Sequence, residues 1–89
     1  MTYEVSFTEV ALKSLQRCSH KDKNLIIRNI EQLSAEPFRK SNVKKLVGFD
    51  AAAFRMRVEN YRVLFDREDD LKIIDIIDIL QRKQAYQKR

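Results

Sequence analysis

The chain has 89 residues, 44% of them hydrophobic and 35% charged, which is enough for one small hydrophobic core and too little for several domains. We therefore expect a single domain over residues 1–89. Charged residues interrupt the longest aliphatic stretch, residues 71–80, so it falls short of the roughly 20 apolar residues of a membrane-spanning helix. The N-terminus lacks the pattern of a signal peptide, and Cys18 has no second cysteine to pair with, so we expect a cytoplasmic protein.

Positive charge is concentrated in two segments of the chain. There are 18 basic and 13 acidic side chains, a net charge of +5. Residues 39–65 hold seven basic and two acidic side chains, and residues 79–89 hold four basic and no acidic ones, whereas residues 66–78 are acidic. Such segregation is typical of a protein that binds a polyanion.

The first half of the chain predicts a strand followed by two helices. Residues 3–7 alternate apolar and polar side chains, which indicates a strand. Thr8 can cap a first helix. The predicted apolar stripe of that helix consists of Val10, Ala11, Leu15 and Cys18. A second helix is predicted from about Lys21 to Ala35, and it ends before Pro37 because the residue before a proline is disfavoured in helical conformation.

The second half of the chain predicts a loop and three consecutive strands. Residues 38–51 are basic and contain Gly48, the one glycine of the chain, and we expect them to form a connecting loop. Residues 54–58 and 61–65 alternate in period two around Glu59 and Asn60, which predicts a hairpin. Residues 71–80 are apolar at most positions and predict a central strand covered on both faces. The predicted fold class is α+β: an N-terminal strand, a helical hairpin, a three-stranded antiparallel meander and a basic C-terminal tail.

Only one register of the predicted hairpin turns the three alternating apolar residues of each strand toward the core. That register pairs residues 54, 56 and 58 with residues 65, 63 and 61, and it sets Arg57 opposite Arg62 with Arg55 diagonal to Arg62. Like charges across a ladder destabilise it by about 0.2–1 kcal/mol. A phosphate between the guanidinium groups would make the pair favourable, since their donors match phosphoryl oxygens. The alternative is an ordinary solvated strand face with splayed arginine side chains.

The other residues with chemical potential have simpler interpretations. His20, the single histidine, falls in the predicted turn between the helices, and we expect it at the surface. One histidine and one cysteine cannot supply a four-ligand metal site, and Cys18 is expected to fill space in the core. Asp75 and Asp78 are three residues apart in a predicted strand, so we expect them on opposite faces.

The order of elements and a set of short motifs resemble the RelE/ParE superfamily of bacterial toxins over nearly the whole chain. The motifs are Lys45-Leu46-Val47-Gly48, Phe54-Arg55-Met56-Arg57-Val58, Tyr61-Arg62-Val63 and Arg82-Lys83-Gln84-Ala85-Tyr86. The resemblance implies a RelE-like fold. It also implies one of two activities: RelE-like members are ribosome-dependent mRNA endonucleases neutralised by an antitoxin, whereas ParE-like members act on DNA gyrase and lack the cleavage residues.

The resemblance also implies roles for individual residues in a metal-free attack of the RNA 2′-hydroxyl on the adjacent phosphorus. Arg57 stands where the type member has a lysine assigned as base, and Arg55 and Arg62 stand where basic residues hold the phosphate. Arg82 stands at the position of the proposed acid, and Tyr86 at that of a tyrosine that stacks on a base. An aromatic ring in a basic tail suits an unpaired nucleotide independently of any family.

Three lysines extend the predicted RNA-binding surface, and two residues depart from the family pattern. The lysines are Lys44, Lys45 and Lys83. A guanidinium is a poor proton acceptor, so Arg57 suits charge stabilisation better than proton removal, and the base has no assigned residue. Gln81 stands where many relatives carry histidine or lysine.

These observations predict the toxin of a type II toxin–antitoxin system, an mRNA interferase that uses no cofactor and no metal. Its expected partners are a cognate antitoxin, in a hetero-oligomeric complex, and the ribosome with its mRNA; no membrane is involved. A gyrase inhibitor without nuclease activity is the alternative, although the joint presence of Arg62, Arg82 and Tyr86 favours the nuclease. A general RNA-binding module without toxicity is a third possibility.

Overall fold

A five-stranded sheet carries two helices in the computed structural model, which describes residues 2–48 and 50–81. The elements in chain order are β1 (Glu4–Phe7), α1 (Glu9–Gln16), α2 (His20–Ala35), β2 (Val43–Lys45), β3 (Phe54–Val58), β4 (Tyr61–Glu68) and β5 (Ile73–Gln81). The strand order across the sheet is β1-β5-β4-β3-β2, with β1 parallel to β5 and the other neighbours antiparallel. The predicted α+β class and the succession of strand, helical hairpin and antiparallel strands are confirmed.

Both helices begin at hydroxyl caps. The Thr8 hydroxyl accepts from the Ala11 amide at 3.0 Å, and the Ser19 hydroxyl accepts from the Asp22 amide at 3.1 Å. Thr8 also donates to the Ile77 carbonyl at 2.6 Å, which ties the start of α1 to β5. These contacts satisfy amide groups that the first helical turn leaves without intrahelical partners.

One predicted core residue of α1 lies at the surface. Ala11 and Leu15 are buried, and Cys18 packs against the core, but Val10 is 57% exposed. Each step along an α-helix rotates by about 100°, so the neighbour of Ala11 cannot share the direction of the stripe at i, i+4 and i+7. The prediction for Val10 is therefore wrong.

The predicted loop of residues 38–51 contains a short strand. The three residues of β2 pair with β3, Val43 with Met56, Lys44 with Arg55 and Lys45 with Phe54. Three residues with two adjacent lysines show no alternation that would reveal a strand. Because β2 forms through backbone pairing with the edge of β3, its side-chain composition does not indicate a strand.

The central strand β5 differs from its prediction in two ways. Its position between β1 and β4 is confirmed, but only Ile74, Ile76 and Ile79, which belong to the core, are fully buried, whereas the residues between them are half-buried. A bulge at Leu64/Phe65 interrupts its pairing with β4, so that Asp75 pairs with Asp66 and Asp78 with Leu64. Since residues 64 and 66 share a face of β4, the prediction of opposite faces for the two aspartates is wrong.

The hydrophobic core lies between the helices and one sheet face. Its fully buried side chains include Ile26 and Leu33 of α2 and Met56, Val63, Phe65, Ile74 and Ile76 of the sheet. Phe54 stacks on Phe65 with ring centroids 5.2 Å apart. Within residues 2–48 and 50–81, no helix is long and apolar enough to cross a membrane. The core does not include the other sheet face, which we call the open face, although Leu64 on that face is itself 7% exposed.

Arg67 fastens the connection after α2 to the sheet. Its guanidinium lies 4.6 Å from the ring centroids of both Phe38 and Phe54. The same group donates to the Pro37 carbonyl at 2.9 Å and to the Asp69 carboxylate at 2.8 Å. The planar fork of arginine can make these contacts together, which a lysine ammonium cannot.

Candidate nucleic-acid interface

The open sheet face carries the arginine pair that the sequence predicts. Val58 pairs with Tyr61, Met56 with Val63 and Phe54 with Phe65, so Arg57 stands directly opposite Arg62. The Arg57 amide donates to the Asn42 carbonyl, just before β2, at 2.8 Å. Arg57 and Arg62 therefore form a non-hydrogen-bonded pair, in which the Cα atoms are roughly 4.5 Å apart and the side chains come closest. The predicted register is confirmed.

Two further cations lie beside this pair. Arg55 pairs with Leu64, which places it diagonal to Arg62 as predicted, and Lys44 of β2 pairs with Arg55. Lys45 pairs instead with Phe54, a residue that packs against the core, so alternation assigns it to the other face and separates it from these cations. The basic face is thus formed by Lys44, Arg55, Arg57 and Arg62.

The described carboxylates near the basic face leave three of its four cations without an ion pair. Within the described part of the chain, Lys44, Arg55 and Arg57 make no ion pair. Nearby aspartates accept from neutral donors: Asp66 from the Ala53 amide (2.8 Å), Asp75 from the Ser6 hydroxyl (2.9 Å) and Asp78 from the hydroxyl of Ser14 in α1 (2.8 Å). The positive charge of Lys44, Arg55 and Arg57 is therefore available to an external anion.

Asn42 holds the backbone of Arg57 from the side of β2. Its carbonyl accepts from the Arg57 amide, and its side-chain amide donates to the Arg57 carbonyl, each at 2.8 Å. Asn42 has φ 56°, a left-handed conformation that asparagine tolerates better than most residues. Sequence reasoning missed this residue, because it lies in the segment predicted as a loop.

Tyr61 connects the basic hairpin to the helical layer. Its ring is 8% exposed, and its hydroxyl donates to the Asp22 carboxylate at 2.8 Å. Burial, followed by this hydrogen bond, raises the pKa of Tyr61 above its ordinary value near 10. The neutral hydroxyl therefore acts as a donor that fixes the residue next to Arg62.

The remaining predicted site residues lie apart from this cluster or beyond the described chain. Arg82, Lys83 and Tyr86 are outside the described residues; Gln81, immediately before them, ends β5 and pairs with Tyr61. His20 is exposed at the start of α2, as predicted. Among residues 2–48 and 50–81, no three histidine, cysteine, aspartate or glutamate side chains are grouped so that they could hold a metal ion.

Solved structures with the same fold include a toxin–antitoxin complex and a toxin in the free state. The chain is 25% identical to a chain of the toxin–antitoxin complex RelBE2 from Mycobacterium tuberculosis, with a TM-score of 0.80 over 92% of this chain and 100% of that chain. It is 28% identical to a chain of the archaeal RelE–RelB complex from Pyrococcus horikoshii, with a TM-score of 0.78 over 96% of this chain and 100% of that one. A mutant of the Escherichia coli toxin RelE in the free state is 19% identical and shares the fold, with a TM-score of 0.75 over 98% of this chain and 90% of that one.

Sequence comparison gives the family. No curated protein sequence matches the chain. A family model described as the ParE toxin of the type II toxin–antitoxin system parDE matches residues 5–86. The chain therefore belongs to the ParE toxin family within the RelE/ParE superfamily, and its fold is RelE-like.

Proposed function

We propose that the chain is the toxin of a type II toxin–antitoxin pair that cuts mRNA on the ribosome, in the cytoplasm, and that a cognate antitoxin holds inactive. The directly opposed Arg57 and Arg62, flanked by Lys44 and Arg55 on an open sheet face, carry this proposal. Like charges directly opposite each other destabilise a ladder, and a phosphate bound between two guanidinium groups would make the pair favourable. The fold shared with RelE proteins, several of them solved with their RelB antitoxins, supports RNA as that anion.

The proposed reaction is transesterification within the RNA. The 2′-oxygen forms a bond to the adjacent phosphorus, and the bond from phosphorus to the 5′-oxygen breaks, leaving a cyclic 2′,3′-phosphate and a 5′-hydroxyl. The 2′-proton must leave, and the departing 5′-oxygen must gain a proton. Charge on the phosphoryl oxygens grows in the transition state, and Arg57 and Arg62 are the groups we assign to its stabilisation.

The basic tail would complete the site. We assign Arg82 to protonation of the 5′-oxygen and Tyr86 to stacking on a base, following the family resemblance. Arg82 directly follows the last residue of β5, one position beyond the pairing of Gln81 with Tyr61. No residue is assigned to removal of the 2′-proton, because a protonated guanidinium has only donors and cannot accept a proton.

Brief expression without the antitoxin tests the proposal. Wild type should arrest growth and produce new 5′ ends within the codons of translated messages, whereas Arg62→Gln and Arg82→Ala should lose most of those cuts. Arg28→Gln is the charge-matched control, since Arg28 is exposed on α2 in the layer that covers the other sheet face. Growth arrest with intact messages and DNA damage would replace the nuclease with a gyrase inhibitor, and RNA binding without arrest would indicate a non-toxic module.

A further inference from the structure

A second concave site adjoins the Arg57–Arg62 pair. Asn42, Val43, Lys44, Arg55 and Arg57 line a shallow pocket of about 230 Å³ on the outer strands of the sheet. Lys44 and Arg55 are paired across β2 and β3, and Arg57 lies two residues along β3 from Arg55. The pocket therefore shares Arg57 with the first site, and it also contains Arg55, which the family resemblance places at the first phosphate but which pairs here with Lys44.

The composition of this pocket points to an anionic ligand. Three of its five lining residues are cations, and none of the three makes an ion pair with a described residue. Lys44 directly opposite Arg55 repeats the unfavourable pairing of Arg57 with Arg62. Two like-charged pairs in adjacent positions, both on the open face, are difficult to explain by stability alone.

The backbone around the pocket is fixed before any ligand binds. Asn42 contacts both backbone polar groups of Arg57 at 2.8 Å, which continues the β2–β3 ladder by one residue beyond β2. Arg55 and Arg57 thus project from a paired strand and not from a mobile loop. Side chains that start from a rigid backbone lose less entropy when they bind a ligand.

The spacing of the two sites suits one polynucleotide. Residues two apart in a strand are separated by roughly 6.8 Å, which resembles the separation of consecutive phosphates in a nucleic-acid chain. We propose that this pocket binds a second phosphate of the same RNA, next to the phosphate held by Arg57 and Arg62. Lys44 and Arg55 bind it, and the RNA strand runs across β4, β3 and β2 over the open face. This inference rests on the proposed function, because it takes RNA as the ligand.

Small uncleavable ligands can separate the two phosphate positions. The probes are a 2′-O-methyl dinucleoside monophosphate, which has one phosphate, and the same molecule with an added 5′- or 3′-terminal phosphate. Affinity is measured by NMR titration of the purified chain. Partly exposed charge pairs contribute about 1.4- to 5-fold each, so one of the added phosphates should raise wild-type affinity about 3- to 10-fold.

Variants of the chain then show which residues bind the added phosphate. Lys44→Gln should abolish the gain from the added phosphate, so that the variant binds the one-phosphate and two-phosphate ligands with the same affinity. Arg62→Gln should weaken binding of the one-phosphate ligand. Lys21→Gln, an exposed charge-matched control at the start of α2, should change neither this affinity nor the gain from the added phosphate. If Lys44→Gln leaves the gain intact, or weakens both ligands equally, the second position is refuted while the proposed function stands. If wild type binds none of the three ligands, the basic face does not recognise phosphate by itself and the second position is refuted, whereas the proposed function is judged separately by the mapping of 5′ ends.

Discussion

Replacing Tyr61 with phenylalanine removes the hydroxyl that joins the basic hairpin to the helical layer and leaves the buried ring in place. In the wild type this hydroxyl donates to the Asp22 carboxylate at 2.8 Å, from a side chain that is 8% exposed. The substitution therefore tests one hydrogen bond with little change in packing.

The expected loss follows from the chemistry of the acceptor. Hydrogen bonds to charged groups contribute about 1.5–3 kcal/mol, and Asp22 is only half-buried, so we expect about 1.5 kcal/mol for Tyr61→Phe. In a domain of this size 1 kcal/mol shifts Tm by about 4–8 °C, which predicts a decrease of about 6–12 °C.

The same contact predicts a pH dependence. Burial raises the pKa of Tyr61 above 10, so its contribution to stability is complete below pH 10 and is lost as the pH rises through the folded-state pKa. Wild type should therefore lose stability above pH 10 more steeply than Tyr61→Phe. The pKa of Tyr3 is also raised by burial, and Tyr3 is present in both proteins, so the difference between them reports Tyr61.

Urea unfolding of wild type, Tyr61→Phe, Asp22→Asn and the double variant measures the coupling between the two side chains. The slope of unfolding free energy against urea should stay constant, and the coupling energy should exceed about 0.5 kcal/mol, as for residues in contact. A coupling energy near zero, or parallel alkaline profiles for wild type and Tyr61→Phe, would refute the reasoning.

Three further substitutions test other contacts by urea or thermal unfolding. Arg57→Gln should stabilise the fold by about 0.2–1 kcal/mol at low salt, because it removes the repulsion with Arg62, and the gain should largely vanish in about 1 M NaCl; a loss of stability at low salt would contradict the like-charge argument. Arg67→Lys should cost about 1–2 kcal/mol, since an ammonium cannot lie between Phe38 and Phe54 and also donate to both Pro37 and Asp69; an unchanged Tm would show that these contacts contribute little. Gly48→Ala should cost about 1 kcal/mol through its φ of +71° alone, since no atom lies within 4 Å of the added Cβ, and Gly48→Asn should cost less; equal stability of all three proteins would exclude backbone strain there.

The hairpin shows how far sequence reasoning reaches at the candidate site. Side chains alternate along a strand, so the apolar residues of β3 and β4 admitted one register, and the opposition of Arg57 and Arg62 followed from it. The same logic failed for Asp75 and Asp78, because the bulge opposite Leu64 and Phe65 changes the alternation and depends on pairing between strands.

Local patterns in the sequence thus determined the α+β class, the Thr8 cap of α1, the hairpin register and the concentration of positive charge. Only the tertiary structure decided the parallel pairing of β1 with β5, the presence of β2, and the positions of Asn42, Lys44 and Lys45 relative to the arginine pair. The physical reason is that these features depend on backbone hydrogen bonds between distant segments. A backbone amide or carbonyl forms such bonds whatever side chain it carries, so the side-chain pattern shows little sign of them.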